Sequence, residues 1–150
     1  MAARRLLNLR DTAGAVSQEN INLARRGYEA LAARNLEAVL ELVDPDVEIE
    51  IYTGRPDLPE SNRLHGHSGF LENLNQLTEA FDEIQVEPEE FIEVGDELIV
   101  VIRTAGHGKG SGIRVENRVV HVWTLRDGKA TRFRVYGSKG QAFETLGLSE

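Results

Sequence analysis

Cysteine is absent from all 150 residues. That excludes disulfides, thiolate nucleophiles, zinc ribbons and iron–sulfur clusters, and leaves the chain indifferent to its redox compartment. No apolar run approaches the roughly 18 residues of a membrane span. Leu6-Leu7, between Arg5 and Asn8, is too short for the apolar centre of a secretory signal. Positive charge is in the minority, since 17 Lys and Arg face 25 Asp and Glu for a net charge of −8. An acidic chain repels phosphate backbones. The basic residues of the C-terminal half (Arg114, Arg118, Arg126, Lys129, Arg132 and Arg134 among them) are not interleaved with stacking aromatics and read as solvent-facing strand residues. The expectation is a soluble cytoplasmic protein with no nucleic-acid or membrane partner.

What is present fits a globular domain with a core of its own: 41% hydrophobic and 28% charged residues. Residues 1–16 read as a flexible tail and 17–150 as a single domain. Ser17 can cap a helix on which Ile21, Ala24, Tyr28 and Leu31 recur at helical spacing. Asn35 caps a shorter helix with Leu36, Val39, Leu40 and Val43, stopped at Asp44-Pro45 because the residue before proline is pushed out of the α region. Val47, Ile49 and Ile51 alternate with Glu48, Glu50 and Tyr52 as a half-buried strand. Residues 53–67 form a long loop of the kind that often rims a site, and Ser68 can cap a third helix carrying Phe70, Leu74, Leu77 and Phe81. The period then changes to two. Strands are expected at 84–94, 97–105, 113–126 and 129–136, with turns at Gly95-Asp96 and Asp127-Gly128. A last helix, 139–146, packs through Phe143 and Leu146. Helices followed by a strand meander predict an α+β fold with a mainly antiparallel sheet.

Strand 113–126 carries the chemistry. Its odd positions, Ile113, Val115, Asn117, Val119, His121, Trp123 and Leu125, face one side of the sheet, and two polar groups interrupt that apolar row. Buried polar groups need partners, so Asn117 and His121 are either satisfied core residues or the lining of a ligand pocket. His121 is the stronger candidate, because imidazole titrates near neutrality and can give or take a proton. The even positions have Val120, Val122 and Thr124 between charged margins, which suits either a dimer interface or a solvated face. Arg103, Arg134 and Tyr136 are more ordinary strand residues, with Tyr136 the best of them, since a buried tyrosine needs a partner for its hydroxyl.

Other patterns carry less. Gly106-His107-Gly108-Lys109-Gly110-Ser111-Gly112 lacks the Gly-Lys-Ser/Thr spacing and following helix of a phosphate loop. It reads as a hairpin connection. His65, His67, His107 and His121 offer no helical His-x-x-x-His pair with matching carboxylates, so no metal is expected. The acidic run Glu87, Glu89, Glu90 and Glu93 reads as solvated, and Glu48 and Glu50 as exposed.

The segments RGYEALAARNLEAVLELVDPDVEIE (26–50), LHGHSGFLENL (64–74), EEFIEVGDELIVVIRTAGHGKGSG (89–112) and HVWTLRDGKATRFRVY (121–136) resemble the SnoaL-like polyketide cyclase branch of the nuclear-transport-factor and ketosteroid-isomerase superfamily. The likeness covers about residues 17–148. It implies a cone, with a curved sheet wrapped by three N-terminal helices around a pocket, and a homodimer through the outer sheet face. It implies cofactor-free acid–base chemistry on a small apolar molecule. Tyr28 lies close to where the isomerases place an oxyanion-hole tyrosine. His121 falls where they place a pocket aspartic acid. Their general-base aspartate falls on Ile51, or on Glu50 one residue earlier.

Three readings follow. The first is an enzyme of the cyclase, isomerase or hydratase kind, with His121 as acid/base, Tyr28 or Tyr136 as oxyanion donor, Glu50 as the possible base, and Trp123, Asn117, Tyr136, Arg134, Tyr52 and Arg103 around the substrate. The second is a pocket protein that binds a small metabolite without turnover. The third is a dimerisation module whose cavity is filled by side chains.

Overall fold

A computed structural model describes residues 11–52 and 63–148, with side chains of the first helix from Gln18 onward. The order is α1 (Asp11–Ala32), α2 (Leu36–Glu41), β1 (Val43–Ile51), β2 (Arg63–His65), α3 (Gly66–Ala80), β3 (Phe81–Val94), β4 (Glu97–Gly108), β5 (Arg114–Arg126), β6 (Lys129–Tyr136) and α4 (Lys139–Thr145). The strands form one curved, unclosed sheet in the order β2-β1-β6-β5-β4-β3. Among the described residues only β1 and β6 run parallel; the other neighbours are antiparallel. The fold is therefore the expected α+β cone.

Several boundaries differ for local reasons. α1 starts at Asp11, so residues 11–16 of the expected tail are helical. Nothing in Thr12-Ala13-Gly14-Ala15-Val16 bars a helix once the following turns have nucleated it. Residues 1–10, the side chain of Ser17 and residues 53–62 of the expected loop lie outside the described residues. The start of α3 is His65, not Ser68, as N-cap. Asn35 does cap α2, its side chain accepting a hydrogen bond from the Ala38 amide at 3.2 Å. β1 begins at Val43 and passes through Pro45 at an irregularity in its pairing with β6, a place where a missing N–H is tolerated. Asp127 and Gly128 both have positive φ, 54° and 78°, the geometry of the tight hairpin turn. The Gly-rich stretch 106–112 ends β4 and turns into β5, as a hairpin connection should.

The sheet is covered on both sides. On the concave face Val47 and Ile49 of β1, Leu98, Val100 and Ile102 of β4, Leu125 of β5, and Phe133 and Val135 of β6 meet Tyr28, Val39 and Phe70 from the helices. On the convex face Ile92, Ile99, Val120, Val122 and Tyr136 are buried with Ala142 and Phe143 of α4. This corrects the picture of an open valine centre on the outer face: Val120 and Val122 are 2% and 0% exposed because the chain's own last helix lies over them. Beyond α4 the outer face carries ion pairs. Arg103 joins Glu87 and Glu116, and Arg118 joins Glu89. A second copy docking there would meet this charged ladder instead of bare valines.

The acidic run on β3 also divides. Glu87 and Glu89 are exposed, but Glu93 is buried at 3% and accepts a hydrogen bond from Asn20 of α1 at 3.3 Å. The pairing slips between Pro88 and Glu90, and that slip puts Glu93 opposite Leu98 on the concave side. Among the described residues no helix is long and apolar enough to cross a membrane.

Phe143 ties α4 to the outer face. Phe143→Ala should lower unfolding stability by about 3–5 kcal/mol, read as a shift of the urea midpoint, with Phe143→Leu losing much less.

Candidate functional site

Register across the concave face fixes the site. Trp123 of β5 lies opposite Leu98 on one side and Phe133 on the other, while His121 lies between Val100 and Val135. α1 crosses this floor and lowers Tyr28 onto it. The Tyr28 hydroxyl is 2.7 Å from His121 Nδ1 and accepts a hydrogen bond from Trp123 Nε1 at 2.8 Å. Residues separated by more than ninety positions in the chain are thus joined at one phenolic oxygen.

The surroundings of these polar atoms are aromatic and apolar. Phe133 stacks on Trp123 with ring centroids 4.1 Å apart and presents its ring edge-on to His121 at 4.9 Å. Phe70 of α3 reaches both Trp123 and Phe133. Tyr28 is 7% exposed, whereas His121 is half-buried. Burial in this setting disfavours charge. It pulls the His121 pKa down to about 3 and pushes the Tyr28 phenol up, against a smaller opposing effect of the Trp123 hydrogen bond. Both groups are therefore neutral at pH 7. His121 Nε2 has no hydrogen-bond partner among the described residues.

Tyr28 and Trp123 border one small space, a larger groove lies farther out, and His121 lines neither. A cavity of about 60 Å³ is lined by residues including Tyr28, Leu31, Phe70, Trp123 and Leu125. It has room for about two waters at ~30 Å³ each. A groove of about 1290 Å³ runs between the end of α1, α3 and β3, past Leu31, Leu64, Leu74, Leu77 and Val86. Leu31 lines both. The small cavity is well below the ~300–1,000 Å³ of usual ligand pockets, which the groove exceeds.

Not all sequence candidates meet here. His121, Tyr28 and Trp123 come together. Asn117 continues the same row but is exposed, because among the described residues β5 has β4 as its only strand neighbour before Val120. Glu50, Tyr52, Arg103, Arg134 and Tyr136 lie on the convex face, and the sheet separates them from His121. Glu50 is buried rather than exposed, at 9%. It accepts hydrogen bonds from Arg132 Nη2 at 2.6 and 2.8 Å and from the Tyr52 hydroxyl at 3.1 Å. Burial alone would raise its pKa, but Arg132 and Tyr52 hold the carboxyl below its usual range. It cannot serve as a base beside His121. The inward β1 position opposite Val135 is Ile51. Arg134 pairs with Glu97, Tyr52 stacks on Tyr136 at 5.1 Å, and Arg103 is engaged by Glu87 and Glu116.

Phe133 and Leu31 escaped the sequence reading as site residues. Phe133 could have been found by pairing β5 with β6 through the Asp127-Gly128 turn, which sets it opposite Trp123. Leu31 looks like any apolar helix position until the groove is seen. The other histidines are engaged elsewhere: His67 Nε2 is 2.7 Å from the Val43 carbonyl, His65 is 4.0 Å from Asp46, and His107 is 3.7 Å from Glu83. Among the described residues no cluster of three or more His, Asp or Glu side chains is arranged to hold a metal ion.

A curved sheet with helices closing its concave face, and a polar cluster on that face, defines the nuclear-transport-factor-like class. Residues 24–133 match the SnoaL-like domain, and the chain belongs to that family. Among solved structures it is similar to TerC, co-crystallised with polyporic acid, at 30% identity over 85% of this chain and 97% of that one, with a TM-score of 0.69. A protein of unknown function with the same fold from Burkholderia pseudomallei K96243 is 25% identical over 84% of this chain and 95% of its own, TM-score 0.69. A Mycobacterium tuberculosis protein in complex with estradiol-17beta-hemisuccinate shares the fold at 20% identity, over 81% of this chain and 95% of its own, TM-score 0.66. No curated protein matches the sequence.

The depressed His121 pKa makes a signed prediction. The unfolded chain binds a proton at His121 near pH 6.5 and the folded chain only near 3, so this residue's contribution to stability is present above pH 6.5 and lost as pH falls toward 3. In the middle of that window the loss should be about 1.4 kcal/mol per pH unit. His121→Asn should remove that slope in denaturation midpoints measured from pH 7 to pH 4; an unchanged slope would show that another group controls it.

Proposed function

We propose that this chain takes a small apolar molecule bearing a carbonyl-type oxygen into the concave side of the sheet, and acts on it without a cofactor by cyclase, isomerase or hydratase chemistry. The observation that carries this reading is the His121 imidazole. One nitrogen is bound to Tyr28, the other has no protein partner among the described residues, and the ring is set among aromatic side chains. Such a nitrogen, in apolar surroundings, gives a ligand oxygen a directed polar contact whose strength water does not dilute. Trp123 and Phe133 supply the apolar floor. The groove leads the molecule in, and Leu31 stands between the groove and the cavity at Tyr28. Support also comes from the small molecules held by TerC and by the mycobacterial protein of the same fold.

A second reading, binding of a metabolite without turnover, is favoured by one specific observation. β1 offers isoleucine, not a carboxylate, on the concave side, so the proton-abstracting partner of the isomerases is missing from that position. The two readings share a site and differ in what His121 does there.

Calorimetric titration with polyporic acid, the molecule held by the 30% identical relative, tests the shared part. Binding should weaken at least about tenfold in His121→Ala, the loss of one hydrogen bond worth about 1.4 kcal/mol. Leu31→Trp, which narrows the way inward, should also weaken it. Equal affinity in all three proteins would refute the site. Turnover in a panel of aromatic ketones and quinones, abolished by His121→Ala, selects the enzyme; retained binding in His121→Gln with no consumption of any compound selects the binder.

A further inference from the structure

We propose that Trp123, acting through Tyr28, locks His121 in the tautomer that carries its proton on Nε2, so that the atom it faces on a ligand is a hydrogen-bond acceptor such as a carbonyl, enolate or phenolate oxygen. This deepens the reading above and rests on it for the ligand, though not for the tautomer.

Each hydrogen in the trio must have a place. An indole N–H can only donate. Trp123 Nε1 therefore places its hydrogen on the Tyr28 oxygen, 2.8 Å away, and uses one lone pair there. The phenol has a single hydrogen of its own. Its only acceptor among the described residues is His121 Nδ1, at 2.7 Å. Were Nδ1 protonated, it would donate to the remaining lone pair of that oxygen, and the Tyr28 hydrogen would be left without an acceptor in a buried residue. With Nδ1 unprotonated, every hydrogen in the chain Trp123–Tyr28–His121 has a place. Burial keeps the phenol protonated and the imidazole neutral, so neither end of the chain resolves the arrangement by ionising.

The consequence is chemical. Nε2 presents an N–H to the ligand, so His121 stabilises negative charge building on an oxygen and does not abstract a proton there. Trp123 is a positioning residue in this scheme: it sets which way the Tyr28 hydrogen points. A proton removed from a substrate must go to another acceptor, water or a group of the substrate itself.

The test is the tautomer, read by long-range proton–nitrogen correlation on the 15N-histidine-labelled chain without ligand at pH 7. His121 should show a protonated Nε2 and an unprotonated Nδ1, at a population ratio of about tenfold or more. Tyr28→Phe removes the acceptor-filling hydroxyl, and Trp123→Phe frees its hydrogen to turn. In both, the two nitrogen shifts should move toward an averaged pair, while those of His107 stay put. A protonated Nδ1 in the unmutated chain overturns the proposal, and so does an unchanged tautomer in folded Tyr28→Phe. Should the variants fail to fold, the unmutated spectrum decides alone. A chain with the expected tautomer that binds no polyporic acid would count against the proposed function while leaving this inference standing.

Discussion

Side chains alternate across β5, and one sheet two faces deep divides all the chemistry of the molecule. His121 and Trp123 point to the helices; Val120 and Val122 point to α4. Because the sheet is a continuous hydrogen-bonded layer, no side chain reaches through it. A strand register slipped by one residue would exchange the two sets and destroy both cores at once. The site is therefore as firmly specified as the core, since the same pairings place both.

Within the concave core the polar atoms survive by satisfying one another. A phenol, indole and imidazole taken wholly or partly out of water would each carry a desolvation cost if left alone. Joined at the Tyr28 oxygen, they leave one nitrogen, His121 Nε2, without a partner among the described residues. The surrounding Phe70 and Phe133 rings keep the local dielectric low, which makes the internal bonds strong and the ionised forms costly. The result is a neutral donor–acceptor chain beside a small cavity, with Leu31 shared between that cavity and the larger groove.

The convex face solves a different problem with charge. Arg134 is 5% exposed and must be paired, and Glu97 does so with support from Thr124 at 3.2 Å. Arg132 and Glu50 make a second such pair beside Tyr52. Farther out, the pairs of Arg103 and Arg118 sit in solvent and contribute little each. Their effect is on what can approach that face rather than on stability.

Much of this was readable from residue order alone. Periods of 3.6 and 2 gave helices and strands close to their observed positions, the Asp127-Gly128 turn paired β5 with β6, and alternation put His121 indoors, because these are local properties of a chain. Composition excluded thiol chemistry outright. Tertiary structure alone decided what the polar residues do. Glu50 alternates as an exposed residue yet is buried under Arg132, and Glu93 looks solvated until a bulge turns it inward. Asn117 shares a row with His121 but extends past the cover. Most of all, the meeting of Tyr28 with His121 and Trp123 joins residues more than ninety positions apart, and no local pattern carries that distance: only the packing of α1 across the finished sheet brings the three polar groups to one oxygen atom.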